Sequence, residues 1–284
     1  KNKTTPIYEV FLPRGDLDHF INKAHSYPQI VKSPVSGGSK DVYLVHNKFE
    51  MEKKIQKISK LYPNQHILIE EYLDGPQYNV EVLVHKGKLN IVAIVKQDIT
   101  QKIKFIVTGY EIQLKLEENL YRSLFDAVES VIQDLGVMNA ACHLEIRHVE
   151  GNWKLVEINP RISGGAMNRM IEEAFGINLM EETIKAYLDQ EPNLERKHEN
   201  YIYTHYLTIK SLGKLLKVTG KNIATNLPGV IEVYIKPRKG AIMIPPVSMG
   251  QRYAYVIASG DTPEEAKKNA VNATSHIKFY LEPL

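Results

Sequence analysis

The sequence predicts a mixed α/β fold, organised as two compact units or one large one, and three observations carry that prediction. Strand-like and helix-like patterns alternate along the chain with no linker and no internal repeat. Hydrophobic residues make up 43% of the chain and charged residues 24%, the balance of a globular protein with a real core. At 284 residues the chain also exceeds the ~100–200 usual for a single domain. With 14 prolines and 17 glycines it is neither fibrous nor of low complexity, which excludes intrinsic disorder.

The elements follow in order. Ile30-Val31-Lys32 and Val42-Tyr43-Leu44-Val45 read as short strands joined by the small-residue loop Ser36-Gly37-Gly38-Ser39. Met51, Ile55, Ile58 and Leu61 recur at helical spacing across 47–61, and Pro63 stops that helix. Strands are expected at 66–72, 79–85 and about 89–96, the last after the turn His85-Lys86-Gly87-Lys88. Leu120, Leu124, Val128, Val131, Ile132 and Leu135 mark an amphipathic helix over 116–135 that ends at Gly136. A hairpin over 141–149 and 153–159 turns at Gly151, and helices at about 164–175 and 178–190 flank Gly176. After the polar stretch 190–200 come short strands over 203–258 and a closing helix at 263–280, capped by Asp261 or Thr262 with Pro263 in its first turn. A soft boundary falls near residue 200.

Charge and cysteine narrow the function classes. The net charge of +3, from 36 basic and 33 acidic residues, is too even for a nucleic-acid binder on electrostatic grounds. The single cysteine, Cys142, excludes an intramolecular disulfide and a Cys-rich zinc cluster and suits a reducing compartment. No apolar run approaches the ~18–20 residues that span a bilayer, and Lys1 to Pro6 has no signal-peptide character. A soluble, cytoplasmic protein with neither nucleic acid nor membrane as partner is expected.

The hairpin carries the chemistry. Side chains of a strand alternate faces, so His143, Glu145 and Arg147 share one face and Leu144 and Ile146 the other. A turn centred on Gly151 sets Leu144 opposite Ile158, Ile146 opposite Val156 and Glu145 opposite Glu157; a shift of one residue would place apolar against charged. Two facing carboxylates repel, and a divalent cation between them relieves that repulsion. Glu145, Glu157 and Asn159 offer only oxygen, which suits Mg²⁺ or Mn²⁺ rather than zinc. Mg²⁺ held by few protein groups completes its shell with water and phosphate oxygens, so a nucleotide is expected nearby. The loop Ser36 to Ser39, beside Lys32, supplies backbone N–H groups and a point charge for phosphates. It is neither a Walker A loop nor a dinucleotide fingerprint, since both motifs are absent. Cys142 beside His143 is no thiol–base pair, because neighbours in a strand face opposite ways. His143-x-Glu145 lacks the Pro-Cys-x-x-Cys that a zinc deaminase needs.

The order of these segments resembles that of the ATP-grasp ligases. Pro28-Gln29-Ile30-Val31-Lys32-Ser33-Pro34 resembles the family's Pro-x-φ-φ-Lys-Pro strand, and Glu70-Glu71-Tyr72-Leu73 resembles its adenine hinge. The resemblance covers nearly the whole chain and implies an α+β fold whose two lobes hold ATP between them. It implies 1–65 as the small lobe, 66–200 as the large lobe and 201–284 as a β-rich, carboxylase-like C-terminal subdomain. A further N-terminal α/β domain, with a phosphate-contacting lysine, is implied upstream of residue 1. Lys32 and Arg161 are the implied catalytic cations. Ser36, Gly37, Gly38, Ser39, Glu70, Glu71, Tyr72, Leu73, Gln77 and Val156 are the implied ATP contacts, Gln77 standing where the family usually has Glu on the ribose. Glu145, Glu157 and Asn159 match the magnesium ligands.

The family's common chemistry is phosphorylation of a carboxylate by ATP, then attack of an amine on the acyl phosphate. Arg161-Ile162-Ser163-Gly164-Gly165 resembles the dipeptide-forming L-amino-acid ligases, and no acid follows until Glu172, unlike the biotin-carboxylase-like branch. A helix opening near Ser163, Gly164 and Gly165 would aim N–H groups at a substrate carboxylate, with Tyr110 and His143 as further substrate contacts. Tyr110 stands where those ligases tend to have histidine after glycine. The substrates implied are a small carboxylate and an amine, their side chains read by loops such as 97–112 and by the C-terminal strands, with a homodimer as the default assembly. The alternatives are an ATP-dependent carboxylase or purine-pathway ligase of the same fold, or a nucleotide-binding protein without turnover.

Overall fold

The computed structural model describes residues 3–23, 25–100 and 105–284. The small lobe is built from β1 (Tyr8–Phe11), α1 (Leu17–Ile21), β2 (Gln29–Lys32), β3 (Val42–Val45), α2 (Lys48–Leu61) and β4 (Ile67–Glu71). Its antiparallel sheet has the order β1-β4-β2-β3. Val31, Val45, Ile67 and Ile69 alternate onto one face, where Met51, Ile55 and Ile58 of α2 close a core with Phe11 and Phe20. Each such wholly buried aliphatic side chain stabilises the lobe by ~1.5–3 kcal/mol. Asn47 caps α2 by accepting from the Glu50 N–H at 2.9 Å. The opposite face, with Ile30, Lys32, Leu68 and Glu70, is left for the cleft.

The large lobe begins with β5 (Gln77–His85), β6 (Lys88–Thr100), β7 (Ile106–Ile112), α3 (Glu118–Asp134), β8 (Ala140–Val149), β9 (Asn152–Asn159), α4 (Met167–Phe175) and α5 (Leu179–Tyr187). The rest of the chain adds β10 (Tyr201–Leu207), β11 (Gly213–Thr219), α6 (Lys221–Thr225), β12 (Val230–Ile235), β13 (Ile242–Met243), β14 (Ala254–Gly260), α7 (Pro263–His276) and β15 (Lys278–Glu282). An antiparallel sheet runs β12-β14-β10-β7-β6-β5-β8-β9, and a smaller one runs β13-β11-β15. Helix α3 covers one face of the large sheet through Leu124, Val128, Val131 and Ile132, and α4 covers part of the other through Met167, Met170, Ile171 and Phe175. Strand β5 is buried along its whole length as a result. Its even residues face α3, and its odd ones, Gln77, Asn79 and Glu81, form a polar row on the opposite face.

The structure departs from the sequence reading in identifiable places. Residues 97–112, expected as a substrate-reading loop, are the end of β6 and all of β7 on either side of 101–104, with Lys96 registered to Glu111 and Gln97 to Tyr110. Helix α4 opens at Met167 rather than near Ser163, because Gly165 takes φ +68°, outside the helical region. The closing helix stops at His276, and Lys278–Glu282 turns into β15 against β11. Strands β10, β12 and β14 complete the large sheet, so hydrogen-bonded backbone crosses the expected boundary near residue 200. No helix of the described residues is long and apolar enough to cross a membrane.

One position on β7 tests how closely these strands pack. Gly109 lies opposite Asp98 and His205, and a Cβ there would sit 1.9 Å from the Tyr203 hydroxyl, which donates to Asp98 at 2.5 Å. Gly109→Ala is therefore expected to lower stability by about 1–3 kcal/mol through overpacking, read as a lower urea midpoint at unchanged slope. An unshifted midpoint would show that Tyr203 yields without loss.

Candidate active site

The floor of the cleft is three strands wide. Gln77, Asn79 and Glu81 of β5 register with Arg147, Glu145 and His143 of β8, and Glu145 and His143 register in turn with Glu157 and Asn159 of β9. The sequence-derived pairing of Leu144 with Ile158 and Glu145 with Glu157 is the observed one. The pairing of Ile146 with Val156 is not: a bulge between Glu145 and Ile146 moves Ile146 opposite Leu155 and leaves Val156 without a partner in the register. The Val156 carbonyl accepts from the Lys32 ammonium at 3.3 Å, and Lys32 also pairs with Glu70 at 2.8 Å. The irregularity in one lobe thus provides the acceptor for the lysine of the other.

The facing carboxylates are held from both sides. Gln77 Nε2 donates to Glu145 at 2.8 Å, and Asn159 Nδ2 donates to Glu157 at 2.8 Å. Glu145 keeps 31% of its side chain exposed, and Glu157 is exposed. Among the described residues no group of three or more His, Cys, Asp and Glu is arranged to hold a metal alone. Two carboxylates and a carboxamide fit a hard ion that brings further oxygens with it, which is the habit of Mg²⁺ and Mn²⁺. Gln77 is buried, and both ends of its amide are committed: it also accepts from Arg147 Nε at 2.8 Å.

Beneath this pair lies a buried knot. Glu81, wholly buried, accepts from His143 Nδ1 at 2.5 Å and from the Ser163 hydroxyl and amide. Burial alone would lower the His143 pKa, but the carboxylates of Glu145 and Glu81 outweigh it and push it up to about 9. Ser163 Oγ and Glu81 both meet Nδ1, while Nε2 faces Glu145 at 3.8 Å. A serine nucleophile relay needs its serine and acid on opposite ring nitrogens, so the knot positions rather than attacks. It fixes the segment that turns Arg161, Gly164 and Gly165 into the cleft.

The remaining walls come from the hinge, the glycine-rich loop and the C-terminal region. Arg147 Nη1 donates to the Leu73 carbonyl, and its guanidinium lies 5.7 Å from the Tyr72 ring centre. A Cβ at Gly75 would meet the His148 carbonyl oxygen at 2.1 Å, so glycine lets the hinge lie against β8. Glu71 is turned to β1, accepting from the Ile7 N–H at 2.8 Å. In the loop, the Gly38 carbonyl accepts from the Met249 N–H at 2.9 Å. Buried Tyr110 closes the far wall with Tyr206, ring centres 5.6 Å apart, and burial pushes its phenol pKa up.

A cleft of about 790 Å³ gathers these walls, within the range of small-molecule sites. Of the candidate residues named from the sequence, every one but Gly37 lines it. Sequence reasoning put Arg147 on the face of Glu145 without finding its partners, and it passed over Glu81, Met249 and Arg252. The polar alternation Gln77-x-Asn79-x-Glu81 within an otherwise apolar strand was the signal for Arg147 and Glu81, since polar side chains in a buried strand need partners.

Comparison with known proteins bears on the family and the fold. A family model described as "ATP-grasp domain" matches residues 25–169, and one described as "L-amino acid ligase C-terminal domain 2" matches residues 205–282. The L-arginine-specific L-amino acid ligase of Bacillus subtilis is 22% identical over 222 residues, which are 76% of this chain and 54% of that protein. Dapdiamide A synthase of Enterobacter agglomerans is 24% identical over 269 residues, 89% of this chain and 62% of that protein. The crystal structure of an L-amino acid ligase from Bacillus licheniformis superposes with a TM-score of 0.83 at 20% identity, covering 98% of this chain and 69% of that one. The chain thus spans 54–62% of the length of these two curated relatives and shares the fold of the solved ligase.

Proposed function

Because the chain belongs to the ATP-grasp family, we propose that it forms the nucleotide and acyl-transfer site of an ATP-dependent carboxylate–amine ligase acting on amino acids or other small carboxylates. The observation that carries this reading is the registered Glu145–Glu157 pair on the floor of the same cleft that Lys32 and the glycine-rich loop enter.

The residues divide the work. Glu145, Glu157 and Asn159 would hold Mg²⁺, which when bound supplies neutralisation of phosphate charge. Lys32, steadied by Glu70 and the Val156 carbonyl, brings a compact cation beside the Ser36–Ser39 turn. Arg161, exposed two residues beyond Asn159 and with its guanidinium donating to the Ile162 carbonyl, offers the rest of its fork to the phosphoryl oxygens. Backbone of the Glu70–Leu73 hinge faces the adenine, with Leu73 fixed by Arg147. In the reaction a substrate carboxylate oxygen attacks the terminal phosphorus of ATP and ADP leaves. The amine then attacks the acyl carbon and phosphate leaves. Positioning and charge complementarity supply most of the acceleration such transfers need.

The test is a screen of amino-acid pairs with the full-length protein, reading ADP and phosphate. ADP release that requires both an acid and an amine is the expected result. Release driven by bicarbonate alone, or tight ATP binding without turnover in any mixture, would overturn the reading.

A further inference from the structure

We propose that Arg252, together with the Tyr110 hydroxyl, forms an anion subsite on the cleft wall that receives the carboxylate left intact on the amine-donating substrate. The proposal rests on the ligase reading and adds to it the chemical class of the second substrate, an amino acid or peptide with a free carboxylate.

Arg252 precedes β14, and its side chain lines the cleft. Its guanidinium carbon lies 3.9 Å from the Tyr206 ring centre and 5.7 Å from that of Tyr110. Nε is 3.3 Å from the Met249 carbonyl, and Nη1 is 3.5 Å from the Val107 carbonyl and 3.4 Å from Tyr110 Oη. These contacts fix the plane of the fork and leave Nη2 without an acceptor among the described residues. No carboxylate among them pairs with it either. A stacked, oriented guanidinium with free donors and no counter-ion, facing a polar cleft, suits a bidentate carboxylate. Beside it, Gly164 and Gly165 are exposed, and a Cβ at Gly165 would stand 3.6 Å from Tyr206 Oη, so substrate backbone can approach there.

The charge balance of the reaction decides which anion this is. Ligation consumes the carboxylate of one substrate at the acidic floor, where Arg161 stands two residues from Asn159. An amino acid acting as the amine keeps its own carboxylate, and that charge needs a partner once water is excluded. Arg252 is the arginine on the β7 side of the cleft: Tyr110 stands on β7, with β6 and β5 between it and the β8 strand of Glu145, and its hydroxyl reaches Asn79 in the polar row of the floor. The terminal phosphate of the nucleotide is the competing anion, because Met249, three residues earlier, bonds the glycine-rich loop at Gly38.

Equilibrium dialysis separates the two. The full-length protein, saturated with Mg²⁺ and a non-hydrolysable ATP analogue, is dialysed against an equimolar mixture of the twenty L-amino acids and, separately, against their amides. The wild type is expected to retain one or more free amino acids and to discriminate against the matching amides. Arg252→Gln should weaken that retention roughly 10- to 100-fold and erase the discrimination, while affinity for the analogue holds. Arg252→Lys should restore part of it, and Tyr110→Phe, which keeps the ring packing, should weaken it several-fold. Retention by no amino acid in the wild type, or unchanged discrimination in Arg252→Gln and Tyr110→Phe, overturns the proposal. A fall in analogue affinity instead assigns the guanidinium to the phosphate and overturns it too. Should ADP release still require an acid and an amine while Arg252 proves indifferent, the subsite alone fails and the ligase reading stands.

Discussion

Glu157→Gln is expected to lower ADP release dependent on an acid and an amine by about 10³-fold or more, and to leave the fold intact. The amide keeps the shape of the carboxylate and can still accept from Asn159 Nδ2, so the hairpin register has no reason to shift. What goes is one of two negative charges that face each other on β8 and β9. A cation at phosphoryl transfer contributes several kcal/mol, and ~4 kcal/mol corresponds to about three orders of magnitude in rate. Titrating Mg²⁺ against the variant separates weakened metal affinity, which saturating ion rescues, from lost charge complementarity, which it does not. Wild-type turnover at ordinary Mg²⁺ would remove Glu157 from the site.

The largest expected effect on stability belongs to Glu81→Leu. The carboxylate is fully buried and accepts from His143, held protonated at neutral pH, and from the hydroxyl and amide of Ser163. Removing it strands a buried cation and two donors, which costs roughly 3–5 kcal/mol. Removing both charges is milder than removing one, so Glu81→Leu combined with His143→Leu should recover part of the loss in denaturant midpoint. A single variant as stable as the wild type would mean that the knot is solvated in ways the burial does not show.

Much of the site was legible because apolar residues fix strand register. Leu144 and Ile158 can share a buried face in one alignment, and that alignment alone sets Glu145 against Glu157. Alternation does not reveal an extra residue, so the bulge that frees Val156 was invisible, and with it the reason Lys32 reaches β9. Strand β7 was taken for loop because Ile106, Val107, Tyr110 and Ile112 do not alternate cleanly; parts of both its faces are covered. Glu81 reads from sequence as one charge on a solvated face, and burial alone distinguishes it. Arg252 gains meaning only beside Tyr110, 142 residues away in the chain. Elements β1 and α1 carry patterns of four and five residues, too short for periodicity to register.

The strands beyond residue 200 that finish the large sheet also limit how such chains can recombine. A hybrid that takes its last third from a relative would be stitched through the ladder where Gly109 meets His205 and Glu111 meets Tyr203. Grafts intended to swap amine preference should therefore match β7 to the donor's β10, because carrying β7 along would only move the seam to its longer ladder with β6.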